Sequence, residues 1–85
     1  MNRDLNIKRE IIAVVSAVFG LAPDMVALGV SPERLERWDS EKHVELVVAL
    51  EERFGCIFEA EDVPELTSLE QMEAIIIRHG QGSDA

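Results

Sequence analysis

Residues 38–54 read WDSEKHVELVVALEERF, and the fold turns on how that stretch divides. Trp38 and Asp39 end a loop, and Ser40 to Phe54 follow with apolar residues at helical spacing. Leu46, Val47, Leu50 and Phe54 share one face, which is assigned to the core. Glu41, Val44, Glu45, Val48, Glu51 and Glu52 fall on the other, an acidic face with two valines one turn apart. Gly55 closes the helix. Ser40 is placed to cap it, because a serine hydroxyl there accepts a hydrogen bond from one of the unpaired first N–H groups. Those N–H groups and the positive dipole end also hold anions well, so a serine carrying a phosphodiester would suit the same position. Local sequence leaves both readings of Ser40 open.

Working outward, residues 5–19 form a second periodic segment. Ile7, Ile11, Val14, Val15 and Val18 recur at helical spacing, Asp4 or Asn6 is a candidate cap, and Gly20 is a natural stop. Between Leu21 and Asp39 the periodicity fades at Pro23, Gly29 and Pro32. So long a loop needs pinning, with Met25, Val26, Leu28, Val30 and Leu35 as anchors. A short turn is expected near Asp24–Ala27, and Ser31-Pro32-Glu33-Arg34 starts another. Beyond the central helix, Cys56-Ile57-Phe58 is an apolar connector, and Glu59–Leu66 is acidic with Val63 and Leu66 as its apolar points, a short helix of one or two turns before the last one. Ser68 followed by Gln71 is a capping-box pattern opening the last helix. Leu69, Met72, Ile75 and Ile76 are its buried stripe, Gly80 is its stop, and residues 81–85 are expected to be disordered.

Three main helices, one short helix and a long first loop give an all-α four-helix bundle, one domain over residues 1–80. At 85 residues the chain is near the lower size for a single unstapled core. A formal net charge of −9 argues against nucleic acid and for partners with basic surfaces. The lone Cys56 excludes an internal disulfide and fits a reducing compartment. The start lacks a signal-peptide core and no apolar run is long enough for a bilayer, so a cytoplasmic monomer without membrane association is expected.

With these residues in place, the chain resembles the acyl carrier protein family from about Ile7 to His79. Asp39-Ser40, then Val44-Glu45-Leu46-Val47 and Ala49-Leu50-Glu51-Glu52-Arg53-Phe54, look like that family's second helix, and Thr67-Ser68-Leu69 like the entry to its last. Trp38-Asp39-Ser40 with His43 three residues on is similar to stand-alone carriers of specialised biosynthetic pathways. The resemblance implies an acyl-carrier-like bundle with a 4′-phosphopantetheine arm, drawn from coenzyme A, on Ser40. It implies fatty acid, polyketide or nonribosomal peptide biosynthesis as the setting. The implied partners are a phosphopantetheinyl transferase and acyl- or aminoacyl-processing enzymes, meeting Glu41, Val44, Glu45, Val48, Glu51 and Glu52. Glu41 stands where the family usually has leucine, and Lys42 where it has an acid or small polar residue. A carboxylate beside a future phosphate repels it. The alternative is therefore an unmodified interaction module that keeps the carrier fold.

Other residues carry paired readings. Asp39 either helps orient the modifying enzyme's metal or basic groups, as the resemblance implies, or merely sits in the loop. His43, one turn after Ser40, either contacts the phosphate or is a partly exposed helix residue. Trp38 is read as an anchor of the loop, Cys56 as an inert buried thiol, and His79 as a residue that suits a helix C-terminus and nothing more. Glu45, Glu51, Glu52, Glu61 and Asp62 are read as an acidic surface, either merely solvated or facing a basic partner. No nucleophile–base pair, metal-ligand cluster or phosphate loop is legible, so no intrinsic catalysis is expected. Part of an acyl chain would be sheltered among Leu46, Leu50, Val63, Met72 and Ile75.

Overall fold

The computed structural model describes residues 3–79. Its elements are α1 (Arg3–Phe19), α2 (Pro23–Ala27), α3 (Ser40–Phe54), a 3-10 turn (Val63–Glu65) and α4 (Leu69–Arg78). Among the described residues there is no strand, and the molecule is a small all-helical bundle. Gly80 and residues 81–85 lie outside the described residues.

The hub is α1, which packs against α2, α3 and α4. Ile7, Ile11, Val15 and Phe19 follow one another at steps of four and are all buried. That spacing lays them along one stripe of the helix. Val14 and Val18 flank the stripe half-buried. Arg3 is already helical, so Asp4 and Asn6 lie inside α1 and neither is its cap. Nothing in the sequence breaks the helix before Ile7, and it runs one turn further back than that residue.

Gly20 ends α1 with a positive φ of 68°. Its N–H and that of Leu21 both donate to the Ser16 carbonyl. α1 has no basic residue in its own last turn. Two cations from elsewhere supply the missing partners. Arg37 donates to the Phe19 carbonyl at 2.7 Å, and Lys42 Nζ to the Val18 carbonyl at 3.2 Å. Cations at a helix C-terminus satisfy its orphan carbonyls and its dipole together. Lys42, unusual by sequence, thus has a structural task.

The stretch 21–39 is pinned by fewer anchors than expected. Val26, Val30 and Trp38 are buried and Leu35 half-buried, whereas Met25 is 56% and Leu28 77% exposed. A helix of five residues has only one inward position, and Val26 takes it. The expected Asp24–Ala27 turn is α2, with Pro23 at its start. The Ser31 turn is a single one, in which Arg34 and Leu35 N–H both donate to the Ser31 carbonyl. Trp38 closes the loop against Phe19, ring centroids 4.9 Å apart.

α3 has the expected bounds and its inner face is Leu46, Val47 and Leu50. Phe54 is half-buried against the same core. Leu66, Leu69, Met72, Ile75 and Ile76 complete that core from the α4 side. Full burial of such a side chain is worth about 1.5–3 kcal/mol. The short helix expected before α4 is only the three-residue 3-10 turn; the other short helix, α2, lies in the first loop.

Candidate functional site

The N-terminus of α3 is capped by Asp39, which corrects the expectation for Ser40. Asp39 has extended backbone (φ −104°, ψ −172°), and its Oδ1 accepts the Lys42 N–H at 2.9 Å. Ser40 is the first helical residue, one position too late for its hydroxyl to fold back on the third N–H. It is exposed and has no side-chain hydrogen bond among the described residues. Asp39 therefore does more than sit in the loop: its carboxylate is engaged, and the neighbouring hydroxyl has no partner among the described residues.

Beside Ser40 lies a shallow apolar groove of about 400 Å³. Pro32, Trp38, His43, Val44 and Thr67 line it with Ser40 and Asp39. Pro32 and Thr67 had no sequence signal for this role, since they are remote from Ser40 along the chain. Val44, expected on the partner-facing side of α3, is 60% exposed and lines the groove as well.

His43 is the best connected residue of the site. The Trp38 indole N–H donates to its Nδ1 at 3.0 Å. An indole nitrogen is a donor only, so Nδ1 is the acceptor and a neutral ring carries its proton on Nε2. Nε2 then donates to the Val63 carbonyl at 2.6 Å. One imidazole thus joins the loop before Ser40, α3 and the 3-10 turn. His43 is a partly exposed residue of α3, as one of its two readings has it, and in this structure both ring nitrogens are engaged, by Trp38 and by Val63.

The outward face of α3 divides. Val48 is 46% exposed, and Glu41, Glu45 and Glu52 are exposed with it. Glu45 pairs with Lys42 at 3.0 Å, a surface pair of little energetic weight. Glu51 is half-buried, and its carboxylate accepts the Phe58 N–H at 2.9 Å. It fixes the connector after Gly55 and is the least available of the predicted contact residues.

Asp62 is not part of the acidic surface. It is 2% exposed, and its carboxylate pairs with Arg78 and with His79 Nε2, the latter at 2.9 Å. It also accepts the Glu59 N–H at 3.0 Å. The hydrogen bond from His79, then that from Glu59, hold its carboxyl below the usual carboxylate range against the opposing effect of burial; the Arg78 charge adds to this. His79, read as a bystander, is half-buried edge-on to Phe58, centroids 5.6 Å apart, and anchors the end of α4. A helical pattern read in one dimension places neither the His79 ring nor the Asp62 carboxylate.

Cys56 is half-buried rather than buried. Burial pushes its thiol up from the ordinary value, and the Glu51 and Asp62 carboxylates act in the same direction. A thiol held protonated is a poor nucleophile. No helix among the described residues is long and apolar enough to cross a membrane.

Comparison with known proteins finds no family model that matches the chain and no significantly similar curated protein. Among the described residues, the fold and site define a small helical bundle with an exposed serine at a helix start, beside an apolar groove.

Proposed function

We propose that the protein is a discrete carrier, modified on Ser40 with a 4′-phosphopantetheine arm and delivering acyl or aminoacyl thioesters to partner enzymes. The observation that carries this reading is the free, exposed Ser40 hydroxyl, left out of helix capping because Asp39 performs it. The residues fit the group. The phosphodiester would sit at the α3 N-terminus, where N–H groups and the dipole favour an anion, and the groove at Trp38, His43 and Val44 adjoins the same serine.

In the modification, Ser40 Oγ forms a P–O bond to the phosphoryl that bears pantetheine. The pyrophosphate bond of coenzyme A breaks, and adenosine 3′,5′-bisphosphate leaves. The serine proton passes to the modifying enzyme or to solvent. The arm supplies a terminal thiol for thioester chemistry; the chain supplies attachment, a bounded groove and a docking face. Tethering raises the effective concentration of the thioester at each partner's active site. Glu41, Val44, Glu45, Val48 and Glu52 form the outward face offered to basic partners, with Glu51 at its inner edge. Cytoplasmic location and a monomeric state belong to the same reading.

Glu41 favours a second reading, an unmodified interaction module, because its exposed carboxylate lies beside the attachment point. Peptide mapping after incubation with coenzyme A and a broad-specificity transferase separates the two. The carrier reading expects the arm on the peptide that contains Ser40. Absence of the arm across several transferases, or its appearance on another residue, would refute it.

A further inference from the structure

We propose that Trp38 and His43 form a gate between the Ser40 groove and the helical core, with His43 as the positioning residue that holds it shut. The group carried on Ser40 is then confined to the open groove: a short acyl or aminoacyl group, not a long alkyl chain threaded among the core residues. This last step rests on the carrier reading of Ser40, whereas the gate itself does not.

The indole of Trp38 has two neighbours. It lines the groove, and it packs on Phe19, which is 2% exposed at the end of the buried stripe of α1. Anything entering the core at this point must displace the indole. The His43 ring stacks beside it, centroids 6.1 Å apart and planes 26° from parallel. Its two nitrogens grip opposite walls, Trp38 on the loop side and the Val63 carbonyl on the side of the 3-10 turn. A side chain with one polar end would hold only one wall. The imidazole in its Nε2–H form holds both, and swinging Trp38 away breaks the hydrogen bond of its indole to His43.

This gate separates Ser40 from Leu46, Leu50, Met72 and Ile75, buried residues that would otherwise shelter a long chain, while Val63 forms one of its walls. Met72 and Leu50 are fully buried and already packed into the core. What remains accessible from Ser40 is the open groove.

The test begins on the unmodified full chain. Long-range ¹⁵N–¹H correlation at neutral pH is expected to show His43 as one tautomer, protonated on Nε2 and bare on Nδ1. Signals averaged over both tautomers would overturn the gate. Trp38 is the only tryptophan, so its fluorescence reports on the gate directly. His43→Phe, which keeps the bulk and loses both bonds, is expected to raise acrylamide quenching severalfold at unchanged helicity. His43→Asn, which keeps an acceptor near the Nδ1 position, is expected to rescue Trp38; His43→Gln, which keeps a donor near the Nε2 position, is not. Quenching in His43→Phe equal to wild type would refute the positioning role, as would failure of His43→Asn to rescue.

Arms bearing acetyl, hexanoyl and decanoyl groups then test confinement. The wild-type melting temperature is expected to stay flat with chain length, and that of His43→Ala to rise with it. A rise in wild type would refute confinement. A wild type that accepts no arm would overturn the carrier reading and with it confinement, while tautomer and quenching would still decide the gate.

Discussion

α3 and α4 both start at a pair of small polar residues ending in serine, Asp39-Ser40 and Thr67-Ser68, yet they use the serine differently. In α4 the serine is the cap: Ser68 is extended (φ −149°, ψ 162°) and its hydroxyl accepts the Gln71 N–H at 3.2 Å. In α3 the cap is one residue earlier, on Asp39, and Ser40 is left exposed at the first helical position. Both helices have a side-chain cap. A shift of one residue in the cap decides whether a serine is consumed by the fold or remains available for chemistry.

If α3 is held in place by its inner face rather than by its start, Leu50→Ala is the most damaging change. Leu50 is fully buried, and its truncation is expected to cost about 2–5 kcal/mol in a denaturant titration. Val48→Ala, on the exposed side, is expected to stay within about 0.5 kcal/mol and to appear instead as slower engagement by a transferase. The reverse order would mean that α3 is rotated, and the two helix starts would no longer be comparable.

The far end of α4 has its own anchor, and acid should release it. Asp62 titrates below the usual carboxylate range in the folded chain. A carboxylate with a depressed folded pKa contributes stability that is complete above its unfolded value of about 3.9 and is lost as the pH falls through the folded value. Melting temperatures taken down through this range should therefore fall more steeply for wild type than for Asp62→Asn. Parallel acid profiles would show that the Asp62–Arg78–His79 cluster does not hold the end of α4.

The caps themselves come next. Ser68→Ala and Asp39→Ala are each expected to cost about 0.5–2 kcal/mol, the usual worth of an N-cap. Ser40→Ala is expected to have the smallest effect on stability, within about 0.5 kcal/mol. Equal losses for Ser40→Ala and Ser68→Ala would show that both serines cap, contrary to the geometry.

Much of this architecture was legible in the chain. The bounds of α3, its inward Leu46, Val47 and Leu50, the buried stripe of α4 and the stops at Gly20 and Gly55 all follow from spacing and from glycine's tolerance of positive φ. Hidden were choices between chemically equivalent neighbours and contacts between segments distant in sequence. Asp39 and Ser40 are both good caps, and only backbone geometry chooses between them. Among Met25, Val26 and Leu28, only Val26 faces inward, which depends on how α2 rests on α1. His43 and His79 are alike on paper. One links an indole to a backbone carbonyl at 2.6 Å, and the other meets a buried carboxylate, through turn residues far along the chain.

Ser40, and not Ser68, is proposed as the serine set aside for chemistry. Intact mass after incubation with coenzyme A and a broad-specificity transferase tests it most directly, run in parallel on wild type, Ser40→Ala and Ser68→Ala. One added phosphopantetheine is expected on wild type and on Ser68→Ala, and none on Ser40→Ala. Modification that persists in Ser40→Ala, or a wild type that stays unmodified, would contradict it.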